Sequence, residues 1–288
     1  MNAETFPAYR HSGKFGLHGL ALAVIVPIAA GFPLGFVYAT LIKWIPFIYL
    51  NVFITAGYGF LFGFLAGWAM KFGKVRNNPL AALCGALSGI IGLYFGWNGH
   101  IHAYFEGAPA FCMPGEVLNG MKYLYEHGSW SLRGGDNITG VVLGIVWAVE
   151  ALIIVGISIL TPYAMVSSTP FCERNECWLD EEKKISTMEA FTQPAQLEAF
   201  KAGDLSPLSQ ARAKAPRAST FGRLTIKHSS KCEEFCTVTV ANVTVNIDDK
   251  GKITEKSQEL ARNLMLPKSM FDHIAKLEQL KAESPATA

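Results

Sequence analysis

Apolar residues fill the first 160 positions in long, nearly unbroken runs and then give way to short alternating stretches. Four runs are long enough to cross a ~30 Å hydrocarbon core, which takes about 20 helical residues. They cover roughly 17–41, 47–69, 80–97 and 139–160. Within lipid a backbone must bond inside its own segment, so all four are expected to be helices. Pro27 and Pro33 lie inside the first and predict kinks. That run continues past 29–31 without a small-x-small cleavage pattern, so it reads as a retained helix and not a signal peptide. Between the third and fourth runs, residues 98–137 form an outer loop. A 3.6-residue pattern from Pro114 (Val117, Leu118, Met121, Leu124, Tyr125) predicts a short helix on the membrane surface.

Beyond Pro162, which is expected to end the fourth helix, the period changes. The charged run 180–184 reads as a solvated helix or loop. Period-two alternation over 220–228, 237–247 and 252–260 predicts a three-stranded antiparallel meander, with Asp248-Asp249-Lys250-Gly251 as one turn. Met270, Phe271, Ile274, Leu277 and Leu280 share one face of a helix expected at 267–281. The fold class is thus a polytopic α-helical membrane protein with four transmembrane helices and a small α+β cytoplasmic domain. Its parts are a tail at 1–16, the membrane domain at 17–162, and a cysteine-containing domain at 163–288 with its sheet at about 219–260.

Composition sharpens this division. Charged residues make up 17% of the chain, against about a quarter in soluble domains. Residues 1–162 hold 14 of them, and residues 163–288 hold 34, divided 17 to 17 between basic and acidic. A fully soluble enzyme is excluded, and the net charge of +2 gives no reason to expect a nucleic-acid partner. Arg10, Lys14, Lys71, Lys74 and Arg76 fall on one side of the spans, which predicts an inner (plasma) membrane protein with both termini cytoplasmic. Repeated GxxxG spacings, including Gly59, Gly63 and Gly67, suit close packing within the bundle or against a second copy. Trp44, Trp68, Trp97 and Trp130 fit an interfacial aromatic belt.

Candidate chemistry falls in three places. Glu150 stands near the middle of the fourth span, where a carboxylate costs a few kcal/mol and must face the bundle or protonate. Asn51, Thr55 and Tyr58 share one helical face and are its expected polar partners. His100 and His102 form an HxH pair in the outer loop and are a weaker metal-binding candidate, since in a strand both rings would face one way as a metal site needs. Four cysteines form the close pairs Cys172/Cys177 and Cys232/Cys236, and a reducing cytosol favours metal over disulfides. Two pairs beside a three-stranded sheet resemble a zinc ribbon. The resemblance implies one tetrahedral zinc on the four thiolates, with His228 as a substitute ligand. The spacings depart from that pattern: they are C-x4-C and C-x3-C where ribbons have C-x2-C.

No hydrolase, nucleotide-binding or kinase motif is present. The expected function is therefore non-catalytic: a membrane anchor for a zinc-stabilised cytosolic module that binds a protein partner or assists assembly. One alternative is a small oligomeric permease or channel using Glu150. A second is a membrane thiol-disulfide oxidoreductase, although no C-x-x-C at a helix start is there to stabilise a thiolate.

Overall fold

The computed structural model describes residues 5–45, 47–105, 108–109, 111–130, 137–215 and 218–279. The chain divides into two compact units, Ser12–Ser168 and Met1–His11 with Thr169–Ala288.

In the first unit, four helices are long and apolar enough to cross a membrane: α1 (Leu17–Trp44), α2 (Ile48–Phe72), α3 (Asn78–Tyr104) and, after the shorter α4 (Pro114–His127), α5 (Gly140–Ser167). Each runs further than its hydropathy predicts. The third carries on past Trp97 because the polar residue that reads as a stop is satisfied inside the bundle. Buried Asn98 donates to the Tyr94 carbonyl at 2.9 Å and accepts from the Cys112 amide at 2.6 Å. His100 and His102 are therefore helical. The fourth span does not end at Pro162, which is buried where Gly67 of α2 and Gly85 of α3 approach it. Neighbouring helices allow such a breaker inside a membrane helix.

Small residues set the packing. An added Cβ on Gly59, Gly63 or Gly67 would lie within 2.6–2.8 Å of α5, against Ile154, Thr161 or Met165. The GxxxG face of α2 is thus occupied within the chain by α5. The α2–α3 turn is tied to the start of α1. Asn77 caps α3 through Leu80 N at 3.0 Å and donates to Gly13 O at 3.1 Å, while Arg76 N donates to Lys14 O at 2.9 Å. Of the face expected on α4, Val117 and Leu124 are buried, whereas Leu118 is exposed.

The second unit begins with a hairpin of β1 (Phe171–Cys172) and β2 (Cys177–Trp178). Four strands follow in one antiparallel meander, β3 (Glu181–Glu189), β4 (Thr220–His228), β5 (Phe235–Ile247) and β6 (Ile253–Pro267). The described residues thus hold six strands in two sheets, not three strands. The missed member, β3, looks solvated because Glu182 and Lys184 point outward, yet Ile185 and Met188 are buried against the core. The last strand also runs past 260, and Ala261, Leu264 and Leu266 supply its buried positions.

Between β3 and β4 come α6 (Pro194–Lys201) and a 3-10 turn at Ser206–Gln210. With Phe200 and Leu208, these cover the sheet face that carries Leu224, Ile226, Val238 and Val240. The expected C-terminal helix is broken. A 3-10 turn, α7 (Phe271–Ala275) and a second 3-10 turn occupy Lys268–Gln279, and Leu280 lies outside the described residues.

Residues 5–11 are not a free tail. Phe6 N donates to Gly203 O at 2.8 Å, Met265 N to Pro7 O at 2.9 Å and Tyr9 N to Asn263 O at 2.8 Å. Gly203 has a φ of +81°, and a Cβ there would meet the Phe6 carbonyl oxygen at 2.3 Å, so this docking requires glycine. The N-terminal segment therefore belongs to the cysteine-containing unit.

Candidate functional site

The first unit holds a partly open cavity of about 60 Å³. Helical spacing explains which side chains reach it. Trp147, Glu150 and Ile154 recur at intervals of three and four on α5, and Leu93, Trp97, His100 and Tyr104 do so on α3. Tyr38 comes from α1 and Tyr58 from α2, while Leu124 of α4, Ser129 and Trp130 line the end that carries α4.

The walls are aromatic and well braced. Tyr38 and Tyr58 stack with centroids 4.2 Å apart. The Tyr38 hydroxyl meets Thr55 Oγ1 at 3.2 Å, and the Tyr58 hydroxyl donates to the Gly92 carbonyl at 2.8 Å. His100 packs edge-on to Tyr38 and to Trp97, each at 5.7 Å. Trp97 and Trp147 form a T-shaped pair at 4.8 Å. Towards the other end of the bundle the helices close. Ser88 Oγ donates to Phe62 O at 2.7 Å and Ser158 Oγ to Gly59 O at 2.8 Å.

Glu150 is the one carboxylate in this wall, and no hydrogen bond or ion pair reaches it among the described residues. Its expected partners divide. Tyr58 lines the cavity, Thr55 acts only through Tyr38, and Asn51 is not part of the lining. The Asn51 side-chain oxygen is buried without a partner. His102 faces elsewhere and packs on Phe36 at 4.6 Å. The HxH pair sits on a helix, where residues two apart diverge, so its rings do not converge as a strand would have aimed them. Tyr38, Tyr104 and Trp147 were not legible as site residues. Trp97 and Trp130, which fit an interfacial belt, also form cavity walls.

In the second unit, Cys172 and Cys177 are cross-strand partners in the β1–β2 hairpin. Cys232, from the β4–β5 turn, joins them in one buried cluster with Leu179 and Phe235. Cys236 belongs instead to the main core beside the sheet. All four are free thiols. The Cys172 thiol lies 3.3 Å from Asn175 Oδ1 and 3.6 Å from Glu234 Oε2. Burial, reinforced by Cys232, pushes its pKa up to about 12, and burial raises Cys177 and takes Cys236 to about 11. Such groups are thiols at neutral pH, the opposite of an activated nucleophile.

His228 does not join them. Its Nδ1 is 3.4 Å from Glu181 Oε2, its ring packs on Phe271 at 4.5 Å, and burial lowers its pKa. Among the described residues no group of three or more His, Cys, Asp or Glu is arranged to hold a metal ion. The four cysteines therefore do not present the preformed tetrahedral set that the ribbon resemblance implies. Comparison with known proteins returns no matching family, no matching curated protein and no matching solved structure, so the geometry of the two sites alone carries the functional reading.

Proposed function

We propose that this is a small permease-type membrane protein that binds a polar solute at Glu150, inside the four-helix bundle of a single chain. The observation that carries this reading is the Glu150 carboxylate, without a hydrogen-bond or ion-pair partner among the described residues, in the wall of a cavity deep in a candidate membrane span. Ionisable groups at that depth are costly and are retained at substrate and ion pathways. The solute enters from the end lined by Ser129 and Trp130. The bias of basic residues at 71–76 supports an inner-membrane location with both termini cytoplasmic.

Thiol accessibility tests the reading. Val146 lines the cavity, whereas Val149 is half exposed on the outer surface of the bundle. Val146→Cys is expected to react with a water-soluble ammonium-bearing methanethiosulfonate faster than with its sulfonate counterpart, above the background of the native cysteines. Val149→Cys is expected to stay unreactive in liposomes. A Val146→Cys thiol that neither reagent reaches would mean a sealed void, and the solute site would fall.

A second reading concerns the other unit: a membrane-anchored module for protein interaction or assembly. The far end of the β5–β6 hairpin supports it. Ile247 pairs with Ile253 beyond the end of β4, and both are about two-thirds exposed, at 68% and 65%. A two-stranded extension gains little stability alone, which suits a surface kept for a partner. For the thiol cluster, zinc on Cys172, Cys177 and Cys232 is the ligand to test, supported by their convergence and opposed by the lack of a formed metal geometry. Metal analysis of the purified full chain decides. About one zinc per chain, lost in Cys172→Ser, supports the metal. Metal-free protein that melts unchanged in chelator leaves packed thiols only.

A further inference from the structure

We propose that the Glu150 cavity takes a small organic ammonium ion, of about the size of trimethylammonium. This inference rests on the reading of Glu150 as a solute site and names the solute class. The charge selects a cation: among the described residues one carboxylate lines the cavity and no Lys or Arg does. The oxygen inventory then argues against a bare metal ion. Hard cations take about six or more oxygen ligands. Here the other oxygens are the neutral hydroxyls of Tyr38, Tyr58, Tyr104 and Ser129, so among the described lining residues the Glu150 carboxylate is the one charged oxygen group, where hard-cation sites gather several carboxylates and carbonyls.

What surrounds it is aromatic: Tyr38, Tyr58, Trp97, Tyr104, Trp130 and Trp147. A ring of π-systems with a single carboxylate is the chemistry that holds alkylammonium groups, since methyl groups spread the charge and suit an apolar wall. One of these rings already carries an ammonium. Lys43 Nζ lies 5.4 Å from the Tyr104 centroid and is bonded to the Ala103 carbonyl at the end of α3. The volume fits the same class. A cavity of about 60 Å³ has room for a compact group of a few heavy atoms.

The test is calorimetric titration of the full-length protein in detergent with trimethylammonium chloride, beside sodium chloride and tert-butanol, a neutral molecule of similar shape. Saturable binding of trimethylammonium alone is expected. It should weaken about tenfold or more in Glu150→Gln and in Trp147→Leu, and recover in large part in Trp147→Phe, which keeps a ring. Equal binding of tert-butanol, or indifference to Glu150→Gln, would overturn the ammonium assignment. Sodium binding that depends on Glu150, with no trimethylammonium binding, removes this inference and leaves the Glu150 site standing. Absence of binding by all three, together with an unreactive Val146→Cys, removes both. Size-exclusion profiles matching the unsubstituted protein confirm that each variant is folded.

Discussion

Replacing Glu150 with Leu is expected to stabilise the bundle, by about 1–3 kcal/mol, while abolishing solute binding. A side chain that holds helices together does so through bonds, and those seen here run between other groups: Tyr38 to Thr55, Tyr58 to Gly92, Ser88 to Phe62 and Ser158 to Gly59. Glu150 takes no part in this network among the described residues, so its carboxylate bears the cost of partial dehydration without return. Leucine has nearly the same length and no charge to solvate. Stabilisation on removing a polar group is the mark of a residue kept for function. The measurement is thermal unfolding in detergent, followed by tryptophan fluorescence. A fall in stability of the size that follows breaking a buried hydrogen bond would make Glu150 a structural residue and end the solute-site reading.

Much of the membrane half is legible in the sequence because lipid imposes a single rule, and long apolar runs obey it. The limits of that legibility are physical. Hydropathy ends the third span at Trp97 because Asn98, Gly99 and His100 look like loop; only the Tyr94 and Cys112 bonds to Asn98 show why they are helical. Pro162 misleads in the same way, since its cost depends on glycines in two other helices. The second unit is harder to read. In β3 the buried side chains are Ile185 and Met188, set behind four successive charged residues, and the register slips between them. Alternation is therefore broken where a period-two reading needs it.

The candidate site was half legible. A lone glutamate in an apolar run is conspicuous, but its aromatic surroundings come from four helices that no local pattern connects. The cysteine pairs were equally conspicuous, with spacings that already departed from the ribbon pattern. Three of the thiols meet, while the fourth follows the pleat of β5 into the main core, as its position in the strand requires.

Gly85→Leu is expected to destabilise the chain by about 3 kcal/mol or to prevent its folding, whereas Gly57→Leu should be nearly neutral. A Cβ on Gly85 would lie 2.2 Å from the Ser158 carbonyl oxygen and 2.9 Å from Ile159 Cα. These are backbone atoms of α5, so relief requires α3 and α5 to separate. Ser158 is also the residue that bonds α2 through Gly59, so separation at this point loosens three helices together. At Gly57 nothing lies within 4 Å, and a leucine there projects into open space. The comparison also separates two uses of the glycine faces. If they served a second copy, Gly85→Leu would leave a folded chain of lower oligomeric state. If they serve α5, as the contacts place them, it unfolds or aggregates the single chain, and thermal unfolding with light scattering in detergent distinguishes the two. The same separation would open the Glu150 cavity, because Trp97 and His100 are carried by α3 and Trp147 by α5. Gly85→Leu protein that remains folded should therefore lose trimethylammonium binding although no residue of the site has changed.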